Sequence, residues 1–203
     1  MKMTPLDRIL LLLTGLLAAY QVAVGIDGFS TLPIIAYTIA FGVLLVAGLL
    51  LIIWGFDVLD SPVVVIVSTV IPLSLATGLA WQHLASFRTS YLIFAIIGFA
   101  AVTFTRSVPM QNRASVPTLV IALVHGVAGM IIFLLPIILS VQGVMKPVFS
   151  LVGIGGALIG IDGLLLSFLK ACKPVLSRKT TLSIFPSLLL LVTALFVAGF
   201  KFG

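Results

Sequence analysis

The chain has no glutamate, one cysteine, two histidines and few charges of either sign, 8% of its 203 residues. Each shortage excludes something. A soluble globular domain carries about 25% charged residues, so too few polar groups are present here to cover a water-facing surface. The single cysteine, Cys172, allows no disulfide within the chain, no Cys-based metal site and no redox pair. It is read as a small residue near a helix end. With His83 near one end of its apolar run and His125 near the opposite end of another, the only two imidazoles cannot ligate one haem. The acids are five aspartates, and no metal centre or cofactor is expected from so sparse a set of ligands.

Catalytic signatures are missing too. There is no nucleophile elbow, HExxH or P-loop. The residues before Asp162 match neither intramembrane aspartyl-protease pattern, and no lysine sits in mid-span to hold retinal. The chain is therefore expected not to be an enzyme.

What is present is apolar. Hydrophobic residues make up 62% of the chain, and the mean hydropathy is +1.38. Runs of about 20 apolar residues recur, each long enough to cross a ~30 Å hydrocarbon core, and none alternates as a transmembrane β-strand would. The fold class is all-α: a polytopic transmembrane helical bundle of about seven spans, forming a single domain over residues 1–203. The spans are drawn at Ile9 to Gly25, Pro33 to Gly55, Pro62 to Leu84, Ser90 to Thr105, Pro117 to Val141, Pro147 to Leu169 and Leu182 to Gly199. Lys2 and Arg8 before the first run resemble an export signal, but the run is read as a retained first span or signal anchor.

Prolines 33, 62, 117 and 147 open runs, where a missing N–H removes no helical hydrogen bond. Pro186 stands near the start of the seventh. Pro72 and Pro136 fall inside spans and predict kinks, with Ser68 and Thr69 placed to absorb the carbonyl that Pro72 frees.

The net charge of +6 reflects topology, not nucleic-acid binding, because the cations lie between hydrophobic runs. With the N-terminus inside, eight Lys and Arg fall on the inner side and three, Arg88, Lys146 and Lys201, on the outer. This favours N-terminus inside. Gly-hydrophobic-Asp recurs at Gly25-Ile26-Asp27, Gly55-Phe56-Asp57 and Gly160-Ile161-Asp162. It is read either as helix-end marking or as a trace of two three-helix repeats joined by a linker helix.

Asp162 is the one acid well inside an apolar run. It lies eight residues before Lys170, and His125 lies eight residues after Pro117. Both are thus about 12 Å from the same membrane edge. A short loop makes the fifth and sixth spans antiparallel neighbours, so His125 and Asp162 can meet. Gly126 and Gly129 beside His125, and Gly156 and Gly160 beside Asp162, are the small residues that let helix backbones approach in lipid. The pair reads as a buried polar clasp that sets helix register, or as a proton- or ion-handling site. His83, beside Trp81, reads as an interfacial anchor.

Two functions follow. The first is a non-catalytic accessory subunit of a membrane complex, with lipid and partner membrane subunits, or further copies of itself, against its apolar helices. The alternative is a small transporter or channel using Asp162 and His125 for proton- or cation-coupled solute movement. The expected location is the plasma membrane of a prokaryote.

Overall fold

The computed structural model describes residues 3–26, 28–108, 115–170 and 176–203, with the side chains at 60, 115, 162, 164 and 166–170 outside that description. The described residues form α1 (Pro5–Val24), α2 (Thr31–Trp54), α3 (Pro62–His83), α4 (Arg88–Ser107), α5 (Ser115–Val141), α6 (Ser150–Lys170) and α7 (Arg178–Phe202). Short 3₁₀ turns at Phe56–Asp60 and Pro147–Phe149 lead into α3 and α6. Six of these helices, all but α6, are long and apolar enough to cross a membrane. The 21 residues of α6 reach about 31 Å, also a membrane thickness. The chain is an integral membrane protein of the helical-bundle class.

Local chemistry sets the helix ends. The Thr4 hydroxyl accepts from the Asp7 N–H at 3.2 Å, and the Asp7 carboxylate accepts from the Thr4 N–H at 2.8 Å. This reciprocal capping box starts α1. Gly25 and Gly55 stop α1 and α2 at φ of 71° and 74°, a region that glycine enters without a Cβ clash. The first two Gly-hydrophobic-Asp sites are therefore helix ends, whereas Gly160 lies inside α6.

Three expectations are revised. The fourth span is a full helix, two residues longer at each end than drawn. Helix α7 starts at Arg178, four residues before the drawn span, because the Ser177 hydroxyl accepts from the Thr180 N–H at 3.1 Å and starts a polar first turn. Hydropathy does not register such a turn, and Pro186 consequently lies within α7. Pro72 and Pro136 do lie inside α3 and α5. The Ser68 and Thr69 hydroxyls, however, both donate to the Val65 carbonyl, at 3.1 and 2.7 Å. They do not reach the Ser68 carbonyl that Pro72 leaves without its N–H, because a helical hydroxyl bonds back to the preceding turn.

The helices close into a circle. α1 packs on α2, α2 on α3, α3 on α5, α5 on α6, α6 on α7 and α7 on α1, while α4 lies outside against α3 and α5. Exchanging α1, α2 and α3 for α5, α6 and α7 maps the six-helix circle onto itself, but not the place of α4, which packs on α3 and α5. Successive helices in such a bundle alternate in direction, so α1 and α5 run the same way. The circle thus holds three helices before α4 and three after it, with α4 as the connection between them. One face, the N face, holds the start of α1 and the end of α2. The other, the C face, holds the end of α7. Core residues such as Leu11, Ala18, Phe41, Leu79, Ala128 and Phe196 fill the circle and are each no more than 2% exposed.

Candidate functional site

The α5–α6 seam changes character along its length. A Cβ on Gly153 would stand 2.5 Å from the Phe133 carbonyl oxygen. One on Gly156 would stand 2.6 Å from Ile132 Cγ2 and 3.1 Å from its carbonyl carbon. Glycine alone permits this approach, which in lipid replaces the hydrophobic effect as the force holding helices together. Gly155, on the other side of α6, faces the Phe196 ring of α7, and Gly199 of α7 faces the backbone of Val152. The first half of α6 is clamped from two sides.

Toward the N face the seam loosens. Gly126 and Gly129 follow the same stripe of α5 as Ile132 and Phe133, and Gly160 and Gly163 follow that of Gly156, by the spacing of three, four and seven that shares a helix face. A Cβ at any of these four would meet no described atom within 4 Å. Gly126, Gly160 and Gly163 are exposed, whereas Gly153, Gly155 and Gly156 are buried. Of the four glycines expected to pack helices, then, Gly156 stands at a close approach, while Gly126, Gly129 and Gly160 meet none among the described residues. The spacing alone could not separate them, because contact depends on how two rods diverge and not on residue size.

Backbone register carries the seam to the predicted pair. In antiparallel helices each step forward along one is matched by a step back along the other. Seven residues back from Ile132 is His125, and seven on from Gly156 is Gly163, next to Asp162. The two positions share a level, as the depth estimate required. The Asp162 side chain lies outside the described residues, and so does its expected contact with His125. The His125 ring is half-buried, with Nδ1 3.1 Å from the Ile121 carbonyl oxygen. A carbonyl only accepts, so Nδ1 carries the hydrogen and Nε2 keeps its lone pair.

A second feature closes the C face. His83, Phe29, Tyr37, Phe200 and Phe149 form a closed circuit of edge-on or tilted rings. Centroid separations around it are 6.1, 5.7, 4.5, 6.1 and 5.6 Å, within or near the 4.5–7 Å range of favourable aromatic pairs. Three of the rings come from the first half of the chain and two from the second, so the circuit ties the halves together. Buried inside it, the Tyr37 hydroxyl and His83 Nε2 have no hydrogen-bond partner among the described residues. Sequence reading missed this site. Its members lie up to 171 positions apart, from Phe29 to Phe200, and no spacing rule links them.

Among the described residues no group of three or more His, Cys, Asp or Glu is placed to hold a metal ion. No protein-family model matches the chain, and no curated protein or solved structure matches it.

Proposed function

We propose that the chain is a small membrane carrier that moves a proton-coupled solute or a cation along the α5–α6 seam, with His125 and Asp162 as the ion-handling pair. The reading is carried by one asymmetry. The bundle is closed at the C face by the aromatic circuit, whereas toward the N face the glycines of the α5–α6 stripe meet no described neighbour at the level of the pair. A carrier paused with one side shut and the other accessible has this form. The three-plus-three order of the circle around α4 supports it, because two three-helix units with a linker helix are a recurrent transporter plan. The lone pair that His125 keeps on Nε2 supports it too, since a proton relay needs an acceptor at the level of the acid. By the distribution of Lys and Arg, the N face is cytoplasmic. These features move transport ahead of the accessory-subunit reading, which draws its support from the short loops and the lack of catalytic motifs.

The test is reconstitution of the purified chain in vesicles. Proton movement is followed with an entrapped pH-sensitive dye while small cations and neutral solutes are offered in turn. Wild-type protein is expected to move protons or a cation. Asp162→Asn and His125→Ala are expected to abolish this while leaving the melting temperature unchanged. If no gradient or solute distinguishes protein-loaded from empty vesicles, and the chain isolates only together with a second polypeptide, the accessory reading replaces this one.

A further inference from the structure

On the N face, the start of α1 and the end of α2 enclose a cleft of about 360 Å³ lined by Met3, Arg8, Ile53, Trp54, Phe56 and Asp57. Its charges are of both signs. The Arg8 and Asp57 side chains are exposed, and neither bonds to another described residue. The adjacent Asp7 carboxylate does not compete for a cation there, because it is buried and occupied by the Thr4 N–H. The apolar part of the lining is equally open: Ile53 is 70% and Trp54 62% exposed, in the last turn of α2. An exposed tryptophan at a span end is the residue that partitions to the head-group layer of a bilayer.

A cation, an acid and an open apolar wall at the membrane boundary are complementary to one class of ligand. We propose that this cleft binds a phospholipid whose head group carries both a phosphate and a primary ammonium, as in phosphatidylethanolamine. Arg8 takes the phosphate through charge-assisted hydrogen bonds. Asp57 takes the ammonium, and the glycerol and upper acyl chains lie along Ile53 and Met3. A purely anionic head group leaves Asp57 facing no cation. A quaternary ammonium has no N–H to donate to it. This site is independent of the transport reading, and involves neither His125 nor Asp162.

Native mass spectrometry of the detergent-purified chain tests it, with phosphatidylethanolamine, phosphatidylglycerol and phosphatidylcholine offered at equal concentration. Wild-type protein is expected to retain phosphatidylethanolamine above the other two. Arg8→Gln is expected to lower retention of all three by about fivefold, the weight of one basic side chain at a membrane surface. Asp57→Asn is expected to remove the preference for phosphatidylethanolamine over phosphatidylcholine. Equal retention of the three lipids by wild-type protein means annular lipid alone and overturns the proposal without recourse to a variant. A preference that survives in both variants overturns it as well.

Discussion

Gly153 of α6 lies against the Phe133 carbonyl oxygen of α5, with room for a hydrogen but not for a methyl group. This contact stands three residues before Pro136, in the turn whose hydrogen bonding the proline interrupts. The tightest point of the α5–α6 seam and the irregular turn of α5 therefore coincide. The seam is held there, and on the side that carries His125 its glycines meet no described atom.

The seam makes a graded prediction. Gly153→Ala is expected to destabilise by about 1–3 kcal/mol, because a rigid carbonyl must move. Gly156→Ala is expected to cost a similar amount, since Ile132 Cγ2 hangs on a χ1 that the helix holds fixed and the Ile132 backbone stands close behind it. Gly126→Ala, Gly129→Ala and Gly160→Ala are expected to leave stability unchanged or to raise it by about 0.5–1 kcal/mol, as alanine is the better helix former. Thermal unfolding in detergent reads all five. A loss at Gly126 equal to that at Gly153 would show a seam tight along its whole length.

The aromatic circuit predicts the effect of deleting one oxygen. Tyr37 is 1% exposed and its hydroxyl has no described partner. A buried, unsatisfied hydroxyl costs about 1–3 kcal/mol, so Tyr37→Phe is expected to raise the melting temperature. A fall would mean that the hydroxyl holds a partner in the membrane. Gly78→Ala is the companion variant: its Cβ would run into the Tyr37 ring. It is expected to destabilise by about 1–3 kcal/mol and to change tyrosine fluorescence.

The Lys and Arg count predicts topology. A fluorescent protein fused ahead of Met1 is expected to fold in the cytoplasm and fluoresce. Alkaline phosphatase fused after Gly203 is expected to be exported and active, because the seven helices put the two ends on opposite faces. An inactive phosphatase on a chain whose amino-terminal fusion fluoresces would remove a span from the bundle.

The membrane class, the helix count and most helix limits follow from the amino-acid sequence alone. Apolar length and the positions of proline and glycine act within a few residues, where chain order and spatial order agree. Pro62 opens α3, and Gly25 and Gly55 close α1 and α2, for reasons contained in their own backbones. Only the tertiary structure decided which glycines touch a neighbour. Gly156 and Gly160 are indistinguishable in a helical repeat, and α5 meets the first but not the second. Only the tertiary structure, likewise, closed the circle through α1 and α7 and gathered Phe29, Tyr37, His83, Phe149 and Phe200 into one circuit. Contacts between distant segments depend on crossing and divergence of whole helices, and no local pattern of residues encodes them.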